Sequence, residues 1–135
     1  MSYRTRTLAF VNAAWMTFVW ITRIRNAAGD DAISSTTRAL AYTLSAACLA
    51  GAAALVVIGV RRGPIKLLIG IAYAHCAVWV IRGTQIALGD RGAAFKIVHV
   101  VLALISIGLG ALLIRSASRT RLSNASTVQL TSDAL

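Results

Sequence analysis

The chain reads as an all-α polytopic membrane protein with four transmembrane helices in a small bundle. A faint internal repeat would make that bundle two diverged, parallel two-helix hairpins. Three observations carry the fold class. Of 135 residues, 58% are hydrophobic and only 13% charged, with a mean hydropathy of +0.74, whereas soluble domains are about a quarter charged. Apolar stretches recur four times, each close to the roughly 20 helical residues that cross a hydrocarbon core of about 30 Å. Basic residues gather at the ends of these stretches, where they hold segment ends at the headgroups.

The elements follow in order. The first helix is expected over residues 7–24, between Arg6 and Arg23, and the second over 38–60, between Arg38 and Arg61. The third is expected over 65–88, with Arg82 near one end, and the fourth over 94–114, between Lys96 and Arg115. The shorter spans reach the interfaces if flanking Arg and Lys side chains snorkel. Helices are required because an open strand leaves backbone groups unpaired in lipid. Ser34, Ser35 and Thr36 are candidate N-caps for the second helix. Arg61-Arg62-Gly63-Pro64 is a tight basic turn, since Gly-Pro breaks a helix. Residues 1–115 thus form the membrane domain. Residues 116–135, rich in Ser and Thr, are expected to be a disordered or loosely held cytoplasmic tail.

The formal charge of +10 would point to nucleic acid in a soluble protein. Here most of it flanks membrane spans, so the bilayer is the expected partner and nucleic acid is not. Arg4, Arg6, Arg61, Arg62, Lys66, Arg115, Arg119 and Arg121 fall on one side, against Arg23, Arg25, Arg38, Arg82, Arg91 and Lys96 on the other. Basic residues favour the cytoplasm, which places both termini there. No cleavable leader is expected, because the first apolar run ends in Thr-Arg-Ile-Arg. The excess of Arg over Lys on an Ala-rich background suggests a GC-rich bacterial genome, and hence the inner (cell) membrane. Cys48 and Cys76 each sit in an apolar run and read as small buried packers.

Trp20 and Arg23 recur as Trp79 and Arg82, each pair followed by Gly-Asp, at an offset of 59 to 60 residues. Copies with an even number of spans point the same way, so the axis relating them runs along the membrane normal. Both arginines lie roughly 24–26 Å from the inner end of their helix at about 1.5 Å per residue, near the outer boundary. Each tryptophan sits one turn below its arginine on the same face. The plain reading is an aromatic-belt anchor, with Asp30, Asp31 and Asp90 as outer salt-bridge partners. The sharper reading is that Arg23 and Arg82 converge, with Trp20, Trp79, Gln85 and His99, on an anion or lipid headgroup.

His75 is expected near the midplane, on one stripe with Trp79, Arg82 and Gln85 or Ile86. It is the candidate intramembrane polar site. It would either relay a proton, ligate a haem, or donate one hydrogen bond to a neighbour such as Ser45 or Tyr42. His99 is expected level with Arg82 rather than with His75, which argues against a haem shared by the two histidines. Small-residue pairs such as Ala47 and Gly51, Ala50 and Ala54, Gly70 and Ala74, and Gly108 with Gly110 allow close helix approach and make a homo-oligomer plausible.

No Glu occurs, and no Asp lies inside a span. A proton-coupled exporter of the small multidrug type would need an embedded carboxylate. No metal cluster, phosphate-binding glycine loop or Ser-His-Asp set is visible, so neither catalysis nor a metal or other cofactor is expected. The first functional reading is therefore a non-enzymatic subunit or partner of a larger membrane assembly. The alternatives are a small dimeric carrier or lipid-handling protein that binds an anionic group through the paired arginines, and a haem- or quinone-binding protein using His75.

Overall fold

Four helices make up the computed structural model of the chain, which describes residues 1–31, 33–90 and 92–132, with side chains through residue 123. They are α1 (Tyr3–Ala28), α2 (Ser35–Arg61), α3 (Ile65–Leu88) and α4 (Ala93–Ser132). All four are long and apolar enough to cross a membrane, and no strand occurs among the described residues. The all-α bundle expected from the sequence is what forms.

Local chemistry fixes the ends. Ser2 caps α1 by accepting the Thr5 N–H, and Ser34 caps α2 by accepting the Thr37 N–H. The basic turn works as its residues suggest. Arg62 takes the left-handed conformation (φ 52°, ψ 40°), and its N–H and that of Gly63 turn back to the Ile58 carbonyl. Pro64, which has no N–H to satisfy, then leads into α3.

The largest departure from expectation is the tail. Instead of stopping near residue 114, α4 runs on to Ser132, so residues 116–132 are helical; residues 133–135 and Arg91 lie outside the described residues. Ser and Thr read as loop formers because their hydroxyls compete for backbone hydrogen bonds. In the fold those hydroxyls are used on α1. Thr5 Oγ1 lies 2.8 Å from Ser2 Oγ, 2.9 Å from Ser116 Oγ and 3.1 Å from Thr120 Oγ1. Ala117 is buried beside them.

α1 packs mainly on α2, and α3 mainly on α4. The two hairpins meet along α1 and α4, while α2 barely touches α3. The core is rich in alanine, with Ala9, Ala13, Ala52, Ala72 and Ala117 buried around Leu55, Leu68 and Leu113. Small residues bring the axes close. A Cβ on Gly59 would meet the Phe10 ring at 2.9 Å, and one on Gly110 would collide with Cys76 Sγ. Gly70 and Gly108, by contrast, face open space. Phe18, Leu40, Val80, Ile97 and Leu104 point outward and exposed, the arrangement expected where the surrounding solvent is lipid.

The α1–α4 seam is polar. Thr5 bonds Ser116 and Thr120, Asn12 Nδ2 donates to the Leu109 carbonyl at 3.1 Å, and Trp15 Nε1 donates to Ser106 Oγ at 2.8 Å. Each step up α1 is a step back along α4, so the helices are antiparallel in one fixed register. Two turns further up, that register brings Arg23 level with Val98 and His99.

Candidate functional site

Three helices bring the repeated tryptophans and arginines together. Trp20 and Arg23 come from α1, and His75, Trp79 and Arg82 from α3 at helical spacing. His99 comes from α4, through the seam register. Trp20 and Trp79 are 2% and 6% exposed, so both indoles face the interior of the bundle rather than a lipid-facing belt. Their ring centroids lie 6.2 Å apart at 49°.

Both indoles converge on one atom. Trp79 Nε1 donates to His75 Nε2 at 3.0 Å, and Trp20 Nε1 donates to the same nitrogen at 3.4 Å. A nitrogen that accepts from two N–H groups carries no proton, so a neutral His75 holds its proton on Nδ1. The expected neighbours are not used. Ser45 gives its hydroxyl to the Ala41 carbonyl of its own helix at 2.7 Å, and Tyr42 is exposed. The nearest hydrogen-bonding partners were instead the tryptophans, because a β-branch-free Trp one turn away, and another across the α1–α3 contact, reach farther than a serine hydroxyl.

Above this set lies a cavity of about 260 Å³ between α1, α3 and α4. Trp20, Arg23, Asn26, Trp79, Arg82 and His99 line it, with Val19, Val98 and Leu102 among the apolar walls. The stripe of Trp79, Arg82 and Ile86 therefore faces one space. Gln85 stands outside that space and is exposed; its Oε1 lies 3.4 Å from Arg82 Nη1, at the edge of usual hydrogen-bond range. His99 Nδ1 lies 2.8 Å from the Phe95 carbonyl, and its ring stacks on Phe95 at 3.9 Å. None of Asp30, Asp31 and Asp90 lines the cavity. All three are exposed in the loops at that end, and the backbone carbonyl of Asp30 accepts from Arg38 Nη2 at 2.8 Å.

A second cavity, of about 250 Å³, lies on the other side of His75, between α1, α2 and α3. Ala47, Cys48, Gly51 and Ala74 help to line it. Among the described residues no group of His, Cys, Asp or Glu is placed to hold a metal ion. A haem would most readily take His75 through Nε2, the nitrogen that the two indoles occupy, and His99 lies in a different cavity. The geometry does not suit that cofactor.

Sequence reasoning missed the Trp20–His75 bond and the polar α1–α4 seam. The seam left a signal: Thr5 and Asn12 are seven residues apart and so share a face of α1. No family model matches the chain, and no curated protein or solved structure shows significant similarity to it.

Replacing His75 with Leu removes the acceptor of two buried indole N–H groups. At about 0.6 kcal/mol for each of two membrane hydrogen bonds, we expect a loss of about 1 kcal/mol in stability. The indole N–H resonances of Trp20 and Trp79 should move in an NMR spectrum, while that of Trp15, bonded to Ser106, should stay in place.

Proposed function

We propose that this small integral membrane protein is a non-enzymatic binder of an anionic amphiphile, a carrier or lipid-handling protein. The anionic group would sit between Arg23 and Arg82 and the apolar chain against Trp20 and Trp79. The observation that carries this reading is that both arginines and both tryptophans border one cavity whose lining residues include no carboxylate. Two guanidinium groups bordering one cavity give it a positive potential, which favours an anionic guest. The guanidinium fork suits a carboxylate, phosphate or sulfate group. Near the end of a span, that group stays in the headgroup layer while its chain enters the bilayer or the cavity.

A second reading, as a subunit of a larger membrane assembly or as a homo-oligomer, is favoured by the sparse contact between α2 and α3. The exposed Ala47 and Ala74 border a cavity there that a partner helix can approach closely. A stoichiometric partner retained through purification in mild detergent would favour it. On either reading we place the protein in a bacterial inner membrane with both termini cytoplasmic, following its basic residues.

Two outcomes are expected. A fatty acid brominated on its chain should quench Trp20 and Trp79 fluorescence saturably, and its methyl ester should not. Arg23→Gln and Arg82→Gln should each weaken binding by about tenfold, and the double variant should lose less than the two effects combined, because the arginines share one ligand. Equal quenching by acid and ester would contradict the reading. Separately, a reporter active only in the periplasm should be active when inserted near Asp30 and silent when fused after residue 135; the reverse pattern would overturn the orientation.

A further inference from the structure

The opposite end of the bundle holds a larger cleft, of about 760 Å³, where the first turn of α1 meets the extension of α4. Arg4, Arg115 and Arg119 line it together with Ser2, Ser116 and Thr120, and the lining residues include no carboxylate. Arg115 and Arg119 are four residues apart and therefore neighbours on one helix face. Arg4 approaches from α1, whose first turn carries no acidic residue, so the positive end of the α1 dipole adds to the same field.

The cleft is built. Behind it Thr5 is fully buried and ties Ser2, Ser116 and Thr120 into one hydroxyl cluster, closed by a 3.3 Å contact from Thr120 Oγ1 to Ser2 Oγ. That cluster ties the first turn of the α4 extension to α1, and so holds in place the backbone from which Arg115 and Arg119 project. The span from Ala93 to Arg115 rises about 33 Å at 1.5 Å per residue, one hydrocarbon thickness. Arg115 thus stands at the membrane boundary and Arg119 one turn beyond, at the level of lipid phosphates. Three forked cations with hydroxyls between them form a phosphate-binding donor set, and basic clefts between helices at this level are where anionic headgroups bind.

We propose that this cleft binds a phosphate group, either the headgroup of an anionic lipid or free phosphate, through Arg4, Arg115 and Arg119. The site lies at the end away from the Arg23–Arg82 cavity and does not depend on what that cavity holds. Its test is a titration of the detergent-solubilised full chain with phosphatidylglycerol and, separately, with inorganic phosphate, read by native mass spectrometry. The wild type should retain phosphatidylglycerol or phosphate, and Arg115→Gln/Arg119→Gln should weaken that binding by about tenfold. The control, Arg61→Gln/Arg62→Gln, removes the same charge from the same end, at the α2–α3 turn, and should leave binding unchanged. Arg115→Lys/Arg119→Lys keeps charge and helix but loses the forked geometry, and should fall between the two. Displacement of the lipid by inorganic phosphate assigns the cleft to free phosphate, and lipid binding that phosphate does not displace assigns it to a headgroup. Equal loss in the two Gln pairs would reduce the effect to net charge and overturn the proposal, as would a wild type that binds neither ligand.

Discussion

The fold depends on pairing the polar groups of α1. In lipid there is no water to satisfy a buried hydroxyl, amide or indole N–H, so each such group needs a partner on its own helix or across a helix contact. Thr5, Asn12, Trp15 and Trp20 do so in succession: the first three on α4 and the last on His75 of α3. Apolar packing of the alanine-rich faces constrains the register only weakly, because alanines differ little in shape and lipid offers similar contacts. The directional bonds choose it. Each such bond is worth only about 0.6 kcal/mol on average in a membrane, so specificity comes from the set acting together.

Both ends of the molecule follow from that register. At one end it sets His99 of α4 beside Arg23 of α1, completing the cavity that the Trp-x-x-Arg stretches line. At the other it sets Ser116 and Thr120 against Thr5, so that Arg115 and Arg119 line one cleft with Arg4. Between the ends, the Trp20–His75–Trp79 set stands as a partition. Its tryptophans line the arginine cavity, and its histidine lines the space between α1, α2 and α3. A ligand that presses on the indoles therefore acts directly on the acceptor nitrogen of His75.

The spans were legible because composition and flanking charge are one-dimensional signals. The start of α3 at Ile65 could be read from Gly-Pro, and a cap for α2 among Ser34, Ser35 and Thr36 from hydroxyls ahead of an apolar run; the structure uses Ser34. The matching depth of Arg23, Arg82 and His99 followed from helical rise alone, once the helices were known to alternate in direction. Side-chain partners were not legible. Ser45 seemed a suitable neighbour for His75, but a hydroxyl on a helix can satisfy itself on the carbonyl one turn back, as Ser45 does with Ala41. The continuation of α4 past residue 115 was not legible for the converse reason: Ser116 and Thr120 bond to Thr5 of α1, and nothing near residue 116 in the sequence announces Thr5.

The claim that the α1–α4 bonds hold the two hairpins in register is tested most directly by distances between spin labels. In a chain with Cys48 and Cys76 replaced by Ala, labels at residues 18 and 98 report across the hairpins, and labels at residues 11 and 56 report within one. Combining Asn12→Leu with Ser106→Ala cuts two rungs of the seam. The account predicts a broadened distance distribution between 18 and 98 and an unchanged one between 11 and 56. Unchanged distributions for both pairs, with the rungs removed, would show that packing alone sets the register and would contradict it.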